Sequence, residues 1–242
     1  MFICFLRGGK LPITPSNWFT DYTCIMPNLI FWIYIAVSVA NVIAKVIPSE
    51  ELDQFTKPLL MPLLMFYVYR SSIGKTTLRI LLLSGALLFS WLGDVVLMYQ
   101  ADERFFMAGI GLFLIAQVIY VVVLRRSSYQ KPVFNLIQML PFLVYGGLLF
   151  YLLLPAGDFT IPIVIYGAVI MTMVIMARLR EGNTSQESYR LALYGSLLFV
   201  LSDSILSINA FHTSIPYAGV FIMATYCAAQ LLLVKGLLGH AE

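Results

Sequence analysis

Eight apolar runs succeed one another between residues 28 and 238, and nearly all the charge sits at their ends. A bilayer core takes about 20 apolar residues per helix. With no water inside it, only structures that close their own backbone hydrogen bonds can cross. The runs predict transmembrane helices over 28–47, 57–70, 78–100, 105–124, 133–154, 159–178, 190–210 and 215–238. The chain is 60% hydrophobic and 11% charged, against about 25% charged in soluble domains. The expectation is an all-α, polytopic membrane protein, an eight-transmembrane-helix bundle over residues 26–242. The short second span carries Pro58 and Pro62; Pro58 suits a first turn, whereas Pro62 should kink or break the helix. Residues 1–25 show no small-residue cleavage site and are expected to be a poorly ordered extension ahead of a natural start at Met26.

Basic residues orient the bundle. With eight spans, twelve fall on one side: Arg7, Lys10, Arg70, Lys75, Arg79, Arg125, Arg126, Lys131, Arg178, Arg180, Arg190 and Lys235. Only Lys45, Lys57 and Arg104 fall on the other. Both termini are therefore expected in the cytoplasm, and the protein in a bacterial inner (plasma) membrane.

Two aspartates break the apolar pattern. Asp94 lies in span three and Asp203 in span seven, where a carboxylate costs about 2.5–3.5 kcal/mol on insertion scales. Asp94 is fifteen residues beyond Arg79 and Asp203 thirteen beyond Arg190. At 1.5 Å per residue these are depths of about 22 and 20 Å, so both belong to the outer half of the membrane. They can meet if spans three and seven are neighbours. Gly85-Ala-Leu-Leu-Phe89 precedes Asp94, and Gly195-Ser-Leu-Leu-Phe199 precedes Asp203. Ala108-Gly109-Ile110 and Ala218-Gly219-Val220 open the spans that follow. This suggests a 4+4 parallel internal repeat.

Other polar residues within the runs are candidates for the same site. Ser90 is at i−4 from Asp94; Ser196 and Ser207 are at i−7 and i+4 from Asp203. Gln117 and Tyr120 lie one turn apart on span four, and Tyr226 and Gln230 one turn apart on span eight. Such amides and phenols either join helices or line a polar pocket. Lys57 opens span two, as an interfacial anchor or as a cation for a lipid phosphate. Asn209 and His212 end span seven, where a polar cap accounts for them. The two histidines, His212 and His240, are too few and too peripheral for a three-histidine zinc hydrolase. No Ser-His pair lies within a span, and no phosphate loop, dinucleotide fingerprint or nucleic-acid footprint is present. Cys4, Cys24 and Cys227 show no metal spacing.

Phe89-Ser-Trp-Leu-Gly-Asp94-Val-Val-Leu, Phe106-Met-Ala-Gly109 and Gln117-Val-Ile-Tyr120 resemble the YhhN/TMEM86 family of lysoplasmalogenases. Leu201-Ser-Asp203-Ser-Ile-Leu, Ala224-Thr-Tyr226-Cys-Ala-Ala-Gln230 and Lys57-Pro58-Leu59 fit the same pattern. The chain departs from many bacterial members in carrying Gln117 where a histidine often precedes the tyrosine, and Gln230 where some relatives have histidine. The resemblance implies an eight-span fold and hydrolysis of the vinyl ether bond of lysoplasmalogens, giving a fatty aldehyde and a glycerophospho-base. It implies Asp94 and Asp203 as catalytic residues. Lys57, Gln117, Tyr120, Tyr226, Gln230 and Asn209 would bind substrate. The partners would be a lysophospholipid and membrane lipid, with no metal or organic cofactor and no nucleic acid.

Two carboxyls in unlike environments suit that reaction: one protonates the alkenyl carbon, the other stabilises the cation and activates water, as in glycosidases. The more desolvated of the two is expected to be the acid. A proton-coupled membrane transporter of a small molecule or lipid is the alternative that intramembrane carboxylates also suit. An intramembrane aspartyl protease is disfavoured, since Trp91 occupies the earlier glycine of its motif and Ser202 the place of its tyrosine. A scaffolding role leaves the aspartates unexplained.

Overall fold

The computed structural model describes residues 15–72, 77–99, 101–130 and 136–239, with side chains from residue 28 onward. Among these residues there are eight α-helices and no strand: α1 Pro15–Val46, α2 Glu50–Ser71, α3 Leu78–Leu97, α4 Glu103–Arg126, α5 Leu136–Leu153, α6 Thr160–Arg178, α7 Gln186–Phe211 and α8 Ala218–Leu238. A 3₁₀ turn, Gly157–Phe159, leads into α6. Seven of the eight are long and apolar enough to cross a membrane, and α2 is not. Residues 1–14 of the expected N-terminal extension lie outside the described residues, and α1 is already helical at Pro15.

Short polar connections end in side chains that cap the next helix. Ser49, Thr77, Asp102 and Ser185 each accept a hydrogen bond from a first-turn backbone N–H of α2, α3, α4 and α7, which satisfies donors that a helix start leaves open. The cap at Ser49 explains a difference from the sequence reading. The second helix begins at Glu50, not at residue 57, because Ser49 caps it and Glu50, Glu51 and Asp53 favour the positive end of its dipole. Nor does Pro62 end the helix. Pro62 has no N–H to give the Pro58 carbonyl one turn earlier; the indole of Trp91 on α3 donates to that carbonyl instead, at 2.9 Å.

α8 packs against α1, α2, α3 and α7, and it is the most buried of the spanning helices. The order α1–α2–α3–α4–α6–α7–α8 closes back on α1, while α5 lies outside against α6 and α7 and is the least buried. The α7–α8 contact is the most extensive, and glycine permits it. A Cβ on Gly236 would stand 2.6 Å from the Ala192 backbone nitrogen, and one on Gly195 2.8 Å from that of Leu233. Ser188 Oγ donates to the Gly236 carbonyl at 2.5 Å.

Arg180, just beyond α6, is fully buried at this same end. Its guanidinium donates to the Ser127 carbonyl at 3.0 Å and to Ser188 Oγ at 2.7 Å. One side chain thus joins the α4–α5 connection, the α6–α7 connection and the start of α7. Burial, with Arg79 nearby, pulls the Arg180 pKa down to about 10, so the clamp stays charged at neutral pH.

Gly236→Ala should lower stability by about 1–3 kcal/mol, because the methyl meets backbone that cannot yield. Gly147→Ala on α5, with nothing within 4 Å of the added carbon, should hold stability or raise it by about 0.5–1 kcal/mol. Thermal unfolding of the two variants in detergent checks the contrast.

Candidate active site

The helices leave a cleft at one end of the bundle, about 1250 Å³ including its open mouth. All eight contribute to its lining. The odd-numbered helices do so towards their C-termini, as at Lys45, Leu97, Leu153 and Phe211. The even-numbered ones do so towards their N-termini, as at Lys57, Phe106, Ile163 and Gly219. Asp94 and Asp203 both face this cleft. They do not meet through neighbouring helices. α3 and α7 do not run along each other; α8 packs against both.

Asp94 is 3% exposed. Its Oδ2 accepts from the Tyr226 hydroxyl on α8 at 2.8 Å. Two rings set edge-on fix Tyr226: Phe113 at 5.9 Å and Phe199 at 5.6 Å between centroids. Gly93 makes room, since a Cβ there would lie 2.7 Å from the Phe113 ring. Asp203 is half-buried and open to the cleft. Its Oδ2 accepts from the Tyr166 hydroxyl on α6 at 2.5 Å. Each carboxylate thus has one phenol donor, supplied by a different helix. The ammonium of Lys57 acts electrostatically on Asp94, whereas no cation is paired with Asp203 among the described residues. The two aspartates are in unlike surroundings.

Behind Asp94 lies a buried polar knot. The Tyr120 hydroxyl donates to Gln230 Oε1 at 2.5 Å, and Gln230 Nε2 donates to Ser90 Oγ at 3.1 Å. All three residues are fully buried, and they tie α4, α8 and α3 together one turn from Asp94. Tyr120 and Gln230 do not line the cleft. Gln117 is fully buried beside Tyr166, yet neither atom of its amide meets hydrogen-bond geometry. Ser207 lines the cleft, whereas Ser196 turns back onto the Ala192 carbonyl at 2.8 Å. Asn209 is exposed, and its Oδ1 accepts from the Ile215 N–H at 2.9 Å, closing the turn before α8. Tyr226 and Lys57 are the other candidates on the cleft wall.

Sequence reasoning missed several residues here. Tyr166 is the chief one; the signal available was a phenol in mid-span with glycine beside it. Lys45, also on the wall, pairs with Asp53 at 2.6 Å. Asn41 Nδ2 donates to Asp53 Oδ1 and to Thr56 Oγ1, both at 2.9 Å. The spacing Asn41, Lys45 on α1 against Asp53, Thr56 on α2 was the clue. Phe106, Phe159 and Phe211 form a three-ring cluster, 5.3–5.9 Å between centroids, on the opposite rim. Among the described residues no three His, Cys, Asp or Glu side chains converge to hold a metal ion.

Residues 52–237 match the YhhN family. The chain belongs to that family. Both aspartates and both tyrosines that hold them lie within the matched residues. This YhhN chain is 32% identical over 192 residues to the Homo sapiens protein named lysoplasmalogenase TMEM86B, covering 77% of each chain. It is 34% identical over 151 residues to the Sus scrofa lysoplasmalogenase TMEM86B, covering 62% of this chain and 61% of that one. It is 32% identical over 151 residues to the Homo sapiens lysoplasmalogenase TMEM86A, covering 60% of each. No solved structure matches it.

Removing the centre of the buried knot should cost stability. Gln230→Leu leaves the Tyr120 hydroxyl and Ser90 without that partner, and should destabilise by about 1–3 kcal/mol. Asn209→Ala, at an exposed turn, should cost well under half as much in the same thermal unfolding measurement.

Proposed function

We propose that this YhhN protein is a lysoplasmalogenase, hydrolysing the vinyl ether bond of 1-alkenyl-glycerophosphoethanolamine or -choline. The observation that carries the reading is the pair of aspartates in unlike surroundings, each held by a tyrosine hydroxyl, facing one cleft in a chain whose relatives bear that name. The reaction needs no more than the residues present. One aspartate gives its proton to the alkenyl carbon distant from oxygen, leaving an oxocarbenium ion. The other, as carboxylate, stabilises that cation and takes a proton from the water that adds to it. The hemiacetal then collapses: its carbon–oxygen bond to glycerol breaks, the second aspartate returns its proton to the departing oxygen, and the hydroxyl proton passes to the first aspartate, which restores the acid. Fatty aldehyde and glycerophospho-base result, and one water is consumed.

Tyr226 and Tyr166 hold the carboxylates in position. Gln117, with an unused amide buried behind the cleft wall, binds a water there and not the glycerol hydroxyl. Lys57 attracts the phosphate. Tyr120, Gln230 and Asn209 act at a distance from the cleft, the first two by fixing α3 and α4 against α8. The protein is integral to the membrane by its apolar helices. We place it in a bacterial inner membrane with α2 as an eighth span, both termini in the cytoplasm and the cleft open to the outer leaflet. The two Asp-bearing helices then belong to the two halves of a 4+4 parallel repeat.

The decisive test is aldehyde release by purified protein given alkenyl, alkyl and acyl lysolipids side by side. Only the alkenyl lipid should yield aldehyde. Asp94→Asn and Asp203→Asn should each lower turnover by about 10²–10⁴-fold, the range for a general acid or base, with unfolding temperature unchanged. Wild-type turnover in both folded variants would reject the mechanism. Lys57→Gln should raise KM more than it lowers kcat, because it removes binding and not chemistry.

A further inference from the structure

A second crevice opens between α5, α6 and α7. Phe142 and Tyr145 of α5 and Leu197 and Leu201 of α7 form its walls, and Met171 and Val200 form its floor. Met171 and Val200 also line the aspartate cleft, so the two spaces adjoin at these side chains. Val200 is three residues before Asp203 on α7, which puts that carboxylate next to the shared boundary. Apart from the Tyr145 hydroxyl, the crevice is lined by apolar side chains. That hydroxyl is spent at the border: it donates to Ser204 Oγ at 2.8 Å, joining α5 to α7 where crevice and cleft meet. Leu197, Leu201 and Tyr145 are 36%, 44% and 40% exposed, so the crevice also opens on the outer face of the bundle, which in an apolar helix bundle is the lipid face.

We propose that the hydrocarbon chain of the substrate passes Met171 and Val200 and lies in this crevice. The assignment rests on the lysoplasmalogenase reading of the cleft and deepens it. The occupant follows from what surrounds the aspartates. Lys45 and Lys57, on α1 and α2, offer cations to a phosphate. The crevice, on α5, α6 and α7, offers an apolar channel with no unpaired polar group. A single-chain phospholipid with its reacting bond at the aspartates fits the two ends in only one direction. The α5 wall of the crevice belongs to the least buried of the spanning helices. Gly146 of α5 faces the Met171 side chain of α6, 3.1 Å from where a Cβ would lie. A flexible thioether at the shared boundary adapts to a chain threading beside it. Chain length is therefore read by Leu197 and Leu201.

The test uses detergent-solubilised wild-type protein and Leu197→Trp and Leu201→Trp variants, with alkenyl lysolipids of 8, 12 and 16 carbons. An indole in the crevice should lower kcat/KM for the longest chain relative to the shortest on the order of tenfold, the size of a steric mismatch in an apolar pocket. The ratio between the longest and shortest chains, not the absolute turnover, is the readout. An unchanged length profile in either folded variant would overturn the crevice assignment while leaving the aspartate mechanism standing. No aldehyde from the wild-type protein with any chain would sink the lysoplasmalogenase reading, and the crevice assignment with it. A lysolipid with a diazirine at its chain end gives a readout that needs no variant. It should label peptides of α5, α6 or α7, and labelling confined to α1, α2 or α8 would overturn the proposal.

Discussion

A carboxylate inside an apolar bundle has no water to accept from, so the protein itself must supply the donor. Here the donors are phenols: Tyr226 for Asp94 and Tyr166 for Asp203. The choice of helix follows from that need. α8 brings Tyr226 to Asp94 only because it runs deep in the bundle, and it runs there because Gly195 and Gly236 remove the side chains that would hold α7 and α8 apart. Gln230, one turn beyond Tyr226, then fixes the rotation of α8 by bonding both α3 and α4. A helix shifted or rotated by one residue would lose both contacts at once, so the register of α8 is specified by polar groups and not by apolar packing alone.

The two ends of the bundle are built for different purposes. At the far end from the cleft, small residues let backbones touch, and Arg180 ties two connections to the start of α7. At the cleft end, large side chains line the opening, and some of the polar contacts lie near the surface. The Lys45–Asp53 pair is partly exposed, with 28% and 19% of the side chains accessible. A closed, cross-tied base with an open top lets substrate enter without loosening the contacts that position α8.

How much of this could be read from the chain depends on whether a signal is carried by one residue or by a pair. Asp94 and Asp203 stand out singly, since each is a charge in an apolar run. The helix positions follow from run length and agree within a few residues, except at α1, which begins at Pro15 and not at residue 28, and at α2, where acidic residues that lower apolarity also extend the helix back to its cap. Tyr226 and Gln230 were visible as a polar pair on one face. Their partners were not, because Asp94 and Ser90 lie 132 and 140 residues away in sequence, and periodicity carries no information across that distance. Tyr166 was overlooked because a lone tyrosine in a span reads as an interfacial anchor. Arg180 counts as an ordinary loop charge in the orientation argument, yet it is among the most buried large side chains of the fold. The two similar Gly-x-Leu-Leu-Phe motifs lie on α3 and α7, but their glycines differ in use: Gly195 meets the α8 backbone, whereas Gly85 meets only the tip of Ile119 at 4.0 Å.

The helix that fits the membrane worst is the one most informative about the cleft. α2 lacks the apolarity of the other seven because its first turns carry Glu50, Glu51, Asp53, Thr56 and Lys57. Two prolines further weaken it, and its most vulnerable carbonyl, that of Pro58, has to be satisfied by Trp91 from outside the helix. Apolar residues at those positions would have made a stronger span. They would also have left the cleft with no cation beside Asp94 and no carboxylate to hold Lys45. The polar stretch and the external hydrogen bond occur together for a physical reason: a helix made hydrophilic enough to line the mouth of a lipid site must be secured by its neighbours. Trp91, three residues before Asp94 on α3, provides that support from the same helix that carries the buried carboxylate. The α2–α3 contact therefore links the polar mouth of the cleft directly to the helix that carries Asp94.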